Sequence, residues 1–295
     1  MKLREILKIH SQKKFEFIGM FLHGPRLKTS QRFLSSFPVF DRVISLSDVD
    51  NLGVRYSLKA MDALPWGVQM DYLDVGSMWD FLWAKWGLPG FYSPLLKQPN
   101  LRKFEVSAER EFKLLGSQIS LPRAKKYIVL GLDSVSGSER KFWPEDHWVT
   151  LISKILGKTK DDILILGPKE KYRHLALKNK KRIFIYDHTS LPVPGDLLSL
   201  ASILYFSKAL VSVETGPAHV AGFLGLNCIT LFGPTSPGHF GQHSNVNVRV
   251  STCPPCMYRQ RSLLCQKNIC MEEILPDLVW KSLEKKLHTP AGSFW

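Results

Sequence analysis

The sequence predicts an α/β protein of two domains, the second of them a doubly wound parallel sheet. Three observations point there. Residues 125–275 alternate short, wholly apolar runs with stretches of helical periodicity, the pattern of strands buried on both faces and joined by helices. Two consecutive apolar runs end in Gly-Pro with hydroxyl side chains beside it, as strand-to-helix junctions at a ligand crevice do. The 295 residues, 44% of them hydrophobic, suffice for two cores of ordinary size and argue against a disordered chain or a rod.

The first 120 residues carry weaker signals. Residues 15–22 read as a strand entering His23-Gly24-Pro25, with a helix to Phe37 after it; residues 41–46 and 70–75 read as further strands. Trp79, Trp83 and Trp86 share one helical face, which is read as core. Residues 105–115 read as an amphipathic helix ending at Gly116, and 117–126 as a linker. The expected division is 1–120, 121–275, and a C-terminal helix and tail over 276–295.

The second half is clearer. Residues 127–130 form the first apolar run, followed by a polar loop through Gly137 and Ser138. A helix then starts at Pro144, whose fixed φ suits a first turn; Glu145 and Asp146 suit the positive end of its dipole. Trp148, Leu151, Ile152 and Ile155 make its apolar face, and Gly157 is expected to stop it. Strands over 163–166, 183–186, 209–213 and 228–232 follow, separated by helices over 172–180, 196–206 and 217–224, the last closed by Gly225. Neither an internal repeat nor a low-complexity tract is present.

Composition narrows the partners. Forty Lys and Arg against 26 Asp and Glu leave a net charge of +14, so anions are the expected partners: nucleic acid, lipid headgroups or phosphorylated substrates. The densest basic patch is Lys169, Lys171, Arg173, Lys178, Lys180, Lys181 and Arg182. The longest uncharged stretch, 215–248, is broken by Pro217, Gly222, Gly225, Gly233 and Pro234, so no spanning helix is expected. Residues 1–10 alternate charge with Leu and Ile, without the apolar segment of an export signal, and a cytoplasmic location is expected.

The chemistry is expected where strands end. In Glu214-Thr215-Gly216-Pro217-Ala218-His219 an acid and a hydroxyl follow an apolar strand, and Gly-Pro opens a helix. Gly216 permits close backbone approach, the first-turn N–H groups favour a phosphate, and His219 could donate to the same anion. Phe232-Gly233-Pro234-Thr235 forms the second junction, expected to face the same crevice.

Here the sequence resembles glycosyltransferase family 9, the bacterial heptosyltransferases of lipopolysaccharide core assembly and their relatives. The resemblance rests on Thr215, Gly216, Pro217, His219 and Ala221, then Phe232-Gly233-Pro234-Thr235 with Pro237. Upstream, Lys141, Trp143, Pro144 and Trp148 match the family's Lys-x-Trp-Pro segment, and the cysteines downstream are similar too. It covers about residues 125–285. It implies a GT-B fold, with two Rossmann-like halves across a cleft and the N-terminal one short and atypical. It further implies inverting transfer of a sugar, heptose above all, from an ADP-sugar or UDP-sugar to a lipopolysaccharide-type or other anionic glycolipid acceptor. No cofactor is required, and the enzyme would meet the inner membrane surface peripherally. Carried over, Lys141, Glu170, Glu214, Thr215, Gly216, Pro217, His219, Gly233 and Thr235 bind the donor, Glu170 at the ribose; Glu214 stands where the family has aspartate. The family's Gly-Asp, whose acid serves as base, has its counterpart at His23-Gly24-Pro25, with proline in the acid's place. His23 and Asp74 are the candidate bases, and His23 reads equally as an ordinary loop histidine.

Cys253, Cys256, Cys265 and Cys270 fall within 18 residues, enough thiolates for a structural zinc; a disulfide pair and free thiols remain alternatives. Cys228 reads as a small buried hydrophobe. Two other functions compete: a non-catalytic nucleotide-sugar-binding relative lacking the base, and a basic zinc-containing nucleic-acid-binding protein. The latter leaves the paired Gly-Pro junctions unexplained, so nucleic acid is not the expected partner.

Overall fold

The computed structural model describes residues 18–21, 42–45, 102–133, 139–177, 181–187, 196–242, 244–250, 253–256, 265 and 268–288. In the first half, β1 (Ile18–Phe21) and β2 (Arg42–Ser45) pair in parallel, inside the two earliest strands expected from sequence. His23, Asp74, the expected helix to Phe37, the strand over 70–75 and the Trp79/Trp83/Trp86 face lie outside the described residues.

The second half forms one six-stranded parallel sheet. Its strands are β3 (Tyr127–Gly131), β4 (Asp162–Leu166), β5 (Ile183–Tyr186), β6 (Ala209–Val213), β7 (Cys228–Phe232) and β8 (Val246–Arg249). Their spatial order is β5-β4-β3-β6-β7-β8, the 3-2-1-4-5-6 arrangement of dinucleotide-binding domains, with its switch point between β3 and β6.

The apolar runs are explained by what covers them. Ile128 and Leu130, Ile163 and Ile165, Val211 and Val213 face one core; Tyr127 and Val129, Leu164 and Leu166, Leu210 face the other. These three strands, β3, β4 and β6, therefore bury both sides, where a half-exposed strand would alternate with polar residues. The first core is closed by α2 (Glu145–Lys158), α3 (Lys169–Leu177), the short α7 (Ile269–Glu272) and α8 (Pro276–Leu287). The second is closed by α1 (Arg102–Gln118), α4 (Leu197–Tyr205) and α5 (Gly216–Phe223). A one-turn helix, α6 (Pro237–Phe240), precedes β8.

Local chemistry sets the ends. Asp196 caps α4, its carboxylate accepting the Ser199 N–H at 3.1 Å. Gly225 follows α5 at φ 67, a left-handed stop that glycine makes without strain. Two expected stops fail. α2 runs through Gly157 to Lys158 and ends only where Thr159 turns extended, and α1 runs through Gly116 to Gln118. A glycine in an exposed last turn weakens a helix without ending it when the apolar face is already docked.

α1 was expected to close the first domain. Its Phe104, Ala108 and Leu115 pack under the second sheet, Phe104 meets Tyr205 edge-on at 5.5 Å, and Glu111 accepts the Ser199 hydroxyl at 2.5 Å. α8 likewise contributes Val279, Trp280 and Leu283 to the first core.

Candidate functional site

β3 and β6 lie side by side at the centre of the sheet, and the connections leaving them run in opposite directions, which opens a crevice beyond their carboxyl ends. The strands meet closely: a Cβ on Gly131 would stand 2.5 Å from the Ser212 hydroxyl. Three segments enter the crevice: Leu132-Asp133 after β3, the helical turn Glu139–Lys141, and Glu214-Thr215-Gly216 after β6.

Trp143 fixes that turn. Buried edge-on against Trp148 at 4.8 Å, it donates its indole N–H to the Ile274 carbonyl at 2.8 Å, while Asn268 holds the Phe142 carbonyl at 2.9 Å. Lys141, two residues before Trp143, is thereby turned inward. Its ammonium donates to Glu214 Oε2 at 2.7 Å and to the Glu214 carbonyl at 3.4 Å, a pair with side chains only 8% and 6% exposed.

The other carboxylate oxygen, Oε1, takes His219 Nε2 at 3.2 Å. On the far side of the ring the Gln242 amide donates to Nδ1 at 3.2 Å, so the ring proton sits on Nε2 and points at Glu214. Gln242 reaches His219 because Gly222, one turn along α5, has no Cβ to block it. Burial alone would push the Glu214 carboxyl up. The hydrogen bonds from His219 and Lys141, with the charge of Lys141, outweigh burial and hold it below its ordinary value.

The helix N-termini around this edge differ. α2 opens with Glu145 and Asp146, and the first N–H of α3, on Lys169, is taken by Asp187 at 2.9 Å. α5 opens with Thr215 as N-cap, without a side-chain cap or an acid in its first turn, and with space around Gly216 where a Cβ would go. Its positive end thus meets neither a side-chain cap nor a carboxylate of its own first turn.

The second Gly-Pro junction lies at the same edge, since Val213 and Leu231 are in register on adjacent strands, but it is filled. A Cβ on Gly233 would meet Met271 Sδ at 2.4 Å and Cys270 Sγ at 3.1 Å, and Thr235 is buried. Gly233 is there to admit α7. Gly233 and Thr235, expected in the donor crevice, are packed beside α7 here.

The family description "Glycosyltransferase family 9 (heptosyltransferase)" matches residues 86–267, more than half of the chain. The chain belongs to glycosyltransferase family 9. It is 26% identical over 168 residues to lipopolysaccharide heptosyltransferase 1 of Pseudomonas aeruginosa, covering 51% of this chain and 45% of the relative. It is 36% identical over 102 residues to lipopolysaccharide heptosyltransferase 1 of Escherichia coli, covering 34% and 30%. The chain thus spans less than half the length of these curated relatives. Among solved structures, E. coli ADP-heptose lipopolysaccharide heptosyltransferase II superimposes with TM-score 0.65 at 16% identity, over 97% of this chain and 93% of that one. A family 9 glycosyltransferase of Veillonella parvula gives 0.59 at 12% identity, over 94% and 99%. The E. coli heptosyltransferase WaaC with ADP gives 0.54 at 18% identity, over 96% and 93%. The fold is GT-B, as the resemblance implied.

In this family 9 fold Lys141, Glu214, Thr215, Gly216, Pro217 and His219 come together at the switch point. Both ring nitrogens of His219 are already engaged, so a bond to a bound anion would have to replace the one to Glu214. Glu170 stands apart from them: its side chain is 82% exposed, pairs with Arg173 at 3.4 Å, and lines a cavity of about 370 Å³ floored by Ala176, Leu177, Ile183 and Ile185. The basic patch is partly spent internally. Lys171 pairs with Asp133, and Arg182 donates to the carbonyls of Leu156, Thr159 and Asp161; Lys178 and Lys180 lie outside the described residues.

The structure carries the five cysteines as thiols. Burial first, then the neighbouring Cys253, Cys256 and Cys265, push the Cys270 thiol up to about 11. Among the described residues no group of three or more His, Cys, Asp or Glu is arranged to hold a metal ion, and the expected zinc ligand set is not formed by their placement. No described helix is long and apolar enough to cross a membrane.

Sequence reasoning missed Gln242, which follows a one-turn helix and carries no motif.

Proposed function

We propose that this chain is an inverting glycosyltransferase that moves heptose from ADP-heptose to a lipopolysaccharide core acceptor, without a catalytic metal. The observation that carries the reading is the uncapped amino end of α5 beside the buried Lys141–Glu214–His219 group at the switch point. A nucleotide-diphosphate leaving group builds up negative charge as the glycosidic bond breaks. Preorganised N–H dipoles and a buried ammonium lower the cost of that charge in a water-poor crevice. Lys141, the first turn of α5 and Thr215 supply them here. Glu214 holds Lys141 in place before the donor arrives and gives up part of its hold on His219 when a diphosphate enters. The names of the family 9 relatives, which specify heptose and lipopolysaccharide, support the sugar and acceptor, and the similarity to WaaC, a heptosyltransferase solved with ADP, supports the nucleotide. The division into an acceptor-side and a donor-side half, the peripheral approach to an anionic membrane face, and a base in the first half at His23 or Asp74 belong to the same proposal. The test is incubation with ADP-heptose and heptose-deficient lipopolysaccharide core, read by mass spectrometry. One added heptose with release of ADP is expected. ADP-heptose binding without transfer would make the chain a donor-binding relative without a base, as Pro25 in place of the family's acid allows.

A further inference from the structure

The torsion that turns an imidazole on its Cβ is broad and roughly two-fold, so a single hydrogen bond leaves a histidine able to rock or turn over. The His219 side chain is 39% exposed and has two: Nε2 meets Glu214 Oε1 at 3.2 Å, and Nδ1 meets the Gln242 amide at 3.2 Å. The two bonds differ in what becomes of them. A diphosphate at the amino end of α5 takes the place of Glu214 at Nε2. Gln242, on the opposite side of the ring, is then the anchor that stays.

Gln242 is itself held in place. Its carbonyl accepts the Asn245 N–H at 3.0 Å and the Asn247 side-chain amide at 3.1 Å. The segment that follows is laced to α5 on either side of His219. The Asn245 amide donates to the Ala218 carbonyl at 3.1 Å, and the Ser244 hydroxyl donates to the Gly222 carbonyl at 2.9 Å. Asn245, which is buried, also donates to the Thr230 hydroxyl of β7 at 3.0 Å. Gly222 completes the fit, since a Cβ there would stand 2.5 Å from both Cβ and Cγ of Gln242. An amide on a backbone tied down in this way is largely ordered before it meets the ring, so little further entropy is lost in holding it there.

We propose that Gln242 is a positioning residue of the donor site: by donating to Nδ1 it keeps the ring proton of His219 on Nε2 and that N–H directed into the crevice, where the diphosphate receives it. The assignment rests on the donor reading above. A neutral imidazole offers an anion either an N–H or a lone pair, and only the first attracts; which nitrogen carries the proton is set by the bond the other one makes. In the opposite tautomer the Gln242 N–H would face a second donor and the crevice would face a lone pair. Gln242 makes the choice before the donor arrives, and the bond it prepares strengthens as charge builds on the departing diphosphate. Gln242 acts through His219 and touches no substrate.

The test is imidazole nitrogen NMR of the full chain carrying isotope-labelled histidine, in mildly alkaline buffer where an ordinary histidine is neutral, paired with calorimetric titration of ADP. His219 is assigned by the loss of its signals in His219→Ala. In the unaltered protein its Nε2 should carry the proton and Nδ1 should not, with and without ADP. Gln242→Leu keeps the bulk and loses the donor. It should move the His219 nitrogen shifts toward averaged values and weaken ADP binding about 2- to 10-fold, the range of one neutral hydrogen bond. Gln242→Met, a second variant without a donor, should behave as Gln242→Leu does. In the His219→Ala background the same changes should leave ADP affinity where it was, which a glutamine that only supports the fold, or that touches the nucleotide itself, would not do. A proton on Nδ1 in the unaltered protein, unchanged shifts and affinity in both variants, or an equal loss of affinity without His219 would overturn the assignment and leave the donor reading standing. If the unaltered protein binds no ADP, the donor reading fails and takes this assignment with it.

Discussion

Replacing Glu214 by glutamine removes one charge and almost no volume from a group whose side chain is 6% exposed. Lys141, 8% exposed, then keeps its ammonium without the carboxylate it meets at 2.7 Å, and the one amide oxygen cannot accept from both Lys141 and His219, which now use separate oxygens. Breaking a buried ion pair on one side costs about 3–5 kcal/mol, because the remaining charge stays desolvated. Neither group is exposed enough for solvent to screen the loss. At roughly 2–4 °C per kcal/mol for a protein of this order of size, the midpoint of thermal unfolding should fall by about 6–20 °C. The same substitution leaves Lys141 free to face an incoming anion. ADP at a hundred times its Kd adds about 2.7 kcal/mol to any protein that binds it in the folded state. At one fixed ADP concentration the variant should therefore recover more of its midpoint than the unaltered protein gains. Differential scanning fluorimetry of both proteins, with and without ADP, measures the pair of shifts. A variant that melts with the unaltered protein, or a smaller ADP-induced shift in the variant, would refute the idea that Glu214 holds Lys141 ready for a diphosphate.

Further outcomes follow from the same contacts. The Glu214 carboxyl is held below its ordinary 4.5, so its contribution is fully present above that pH and is lost as pH falls through the lower folded value. Urea midpoints measured from neutral pH downward should therefore drop more steeply below about 4.5 in the unaltered protein than in Glu214→Gln. Gly233→Ala puts a methyl 2.4 Å from Met271 Sδ and should cost about 1–3 kcal/mol in urea denaturation. Gly216→Ala, facing open space, should fold nearly as well yet weaken ADP binding about tenfold or more by filling the anion's place. Burial pushes the thiols of Cys228 and Cys270 up to about 12 and 11, so both should resist iodoacetamide at neutral pH and react only on unfolding, as peptide mass mapping would record.

What the sequence revealed and what it hid divide along physical lines. The four inner strands of the second sheet, β3, β4, β6 and β7, were legible because each buries both faces, which forces runs such as Ile163-Leu164-Ile165-Leu166 that little else in a soluble chain produces. Of the two edge strands, β5 still reads Ile183-Phe184-Ile185-Tyr186, while β8, mostly half-buried, reads Val246-Asn247-Val248-Arg249 and was missed. Glycine at 116 and 157 misled because a glycine stops a helix by taking a left-handed turn, and neither residue makes one. The Thr215-Gly216-Pro217 junction was readable from local features alone. Gly233-Pro234 looked the same locally, and what separates the two is Met271, a residue 38 positions further on that no local pattern connects to it. Contacts of this range also hid the site's electrostatics. Lys141 meets Glu214 across 73 positions and Gln242 meets His219 across 23, so the sequence offered the residues without their pairing.

The most direct measurement is a calorimetric titration of the unaltered protein and of Lys141→Ala with ADP and with UDP. Saturable one-to-one binding of a nucleotide diphosphate is expected, ADP the tighter, weakened about tenfold or more when the ammonium at the switch point is removed. Heat-silent titrations with both nucleotides, or equal affinity in Lys141→Ala, would contradict a switch point built to hold a diphosphate.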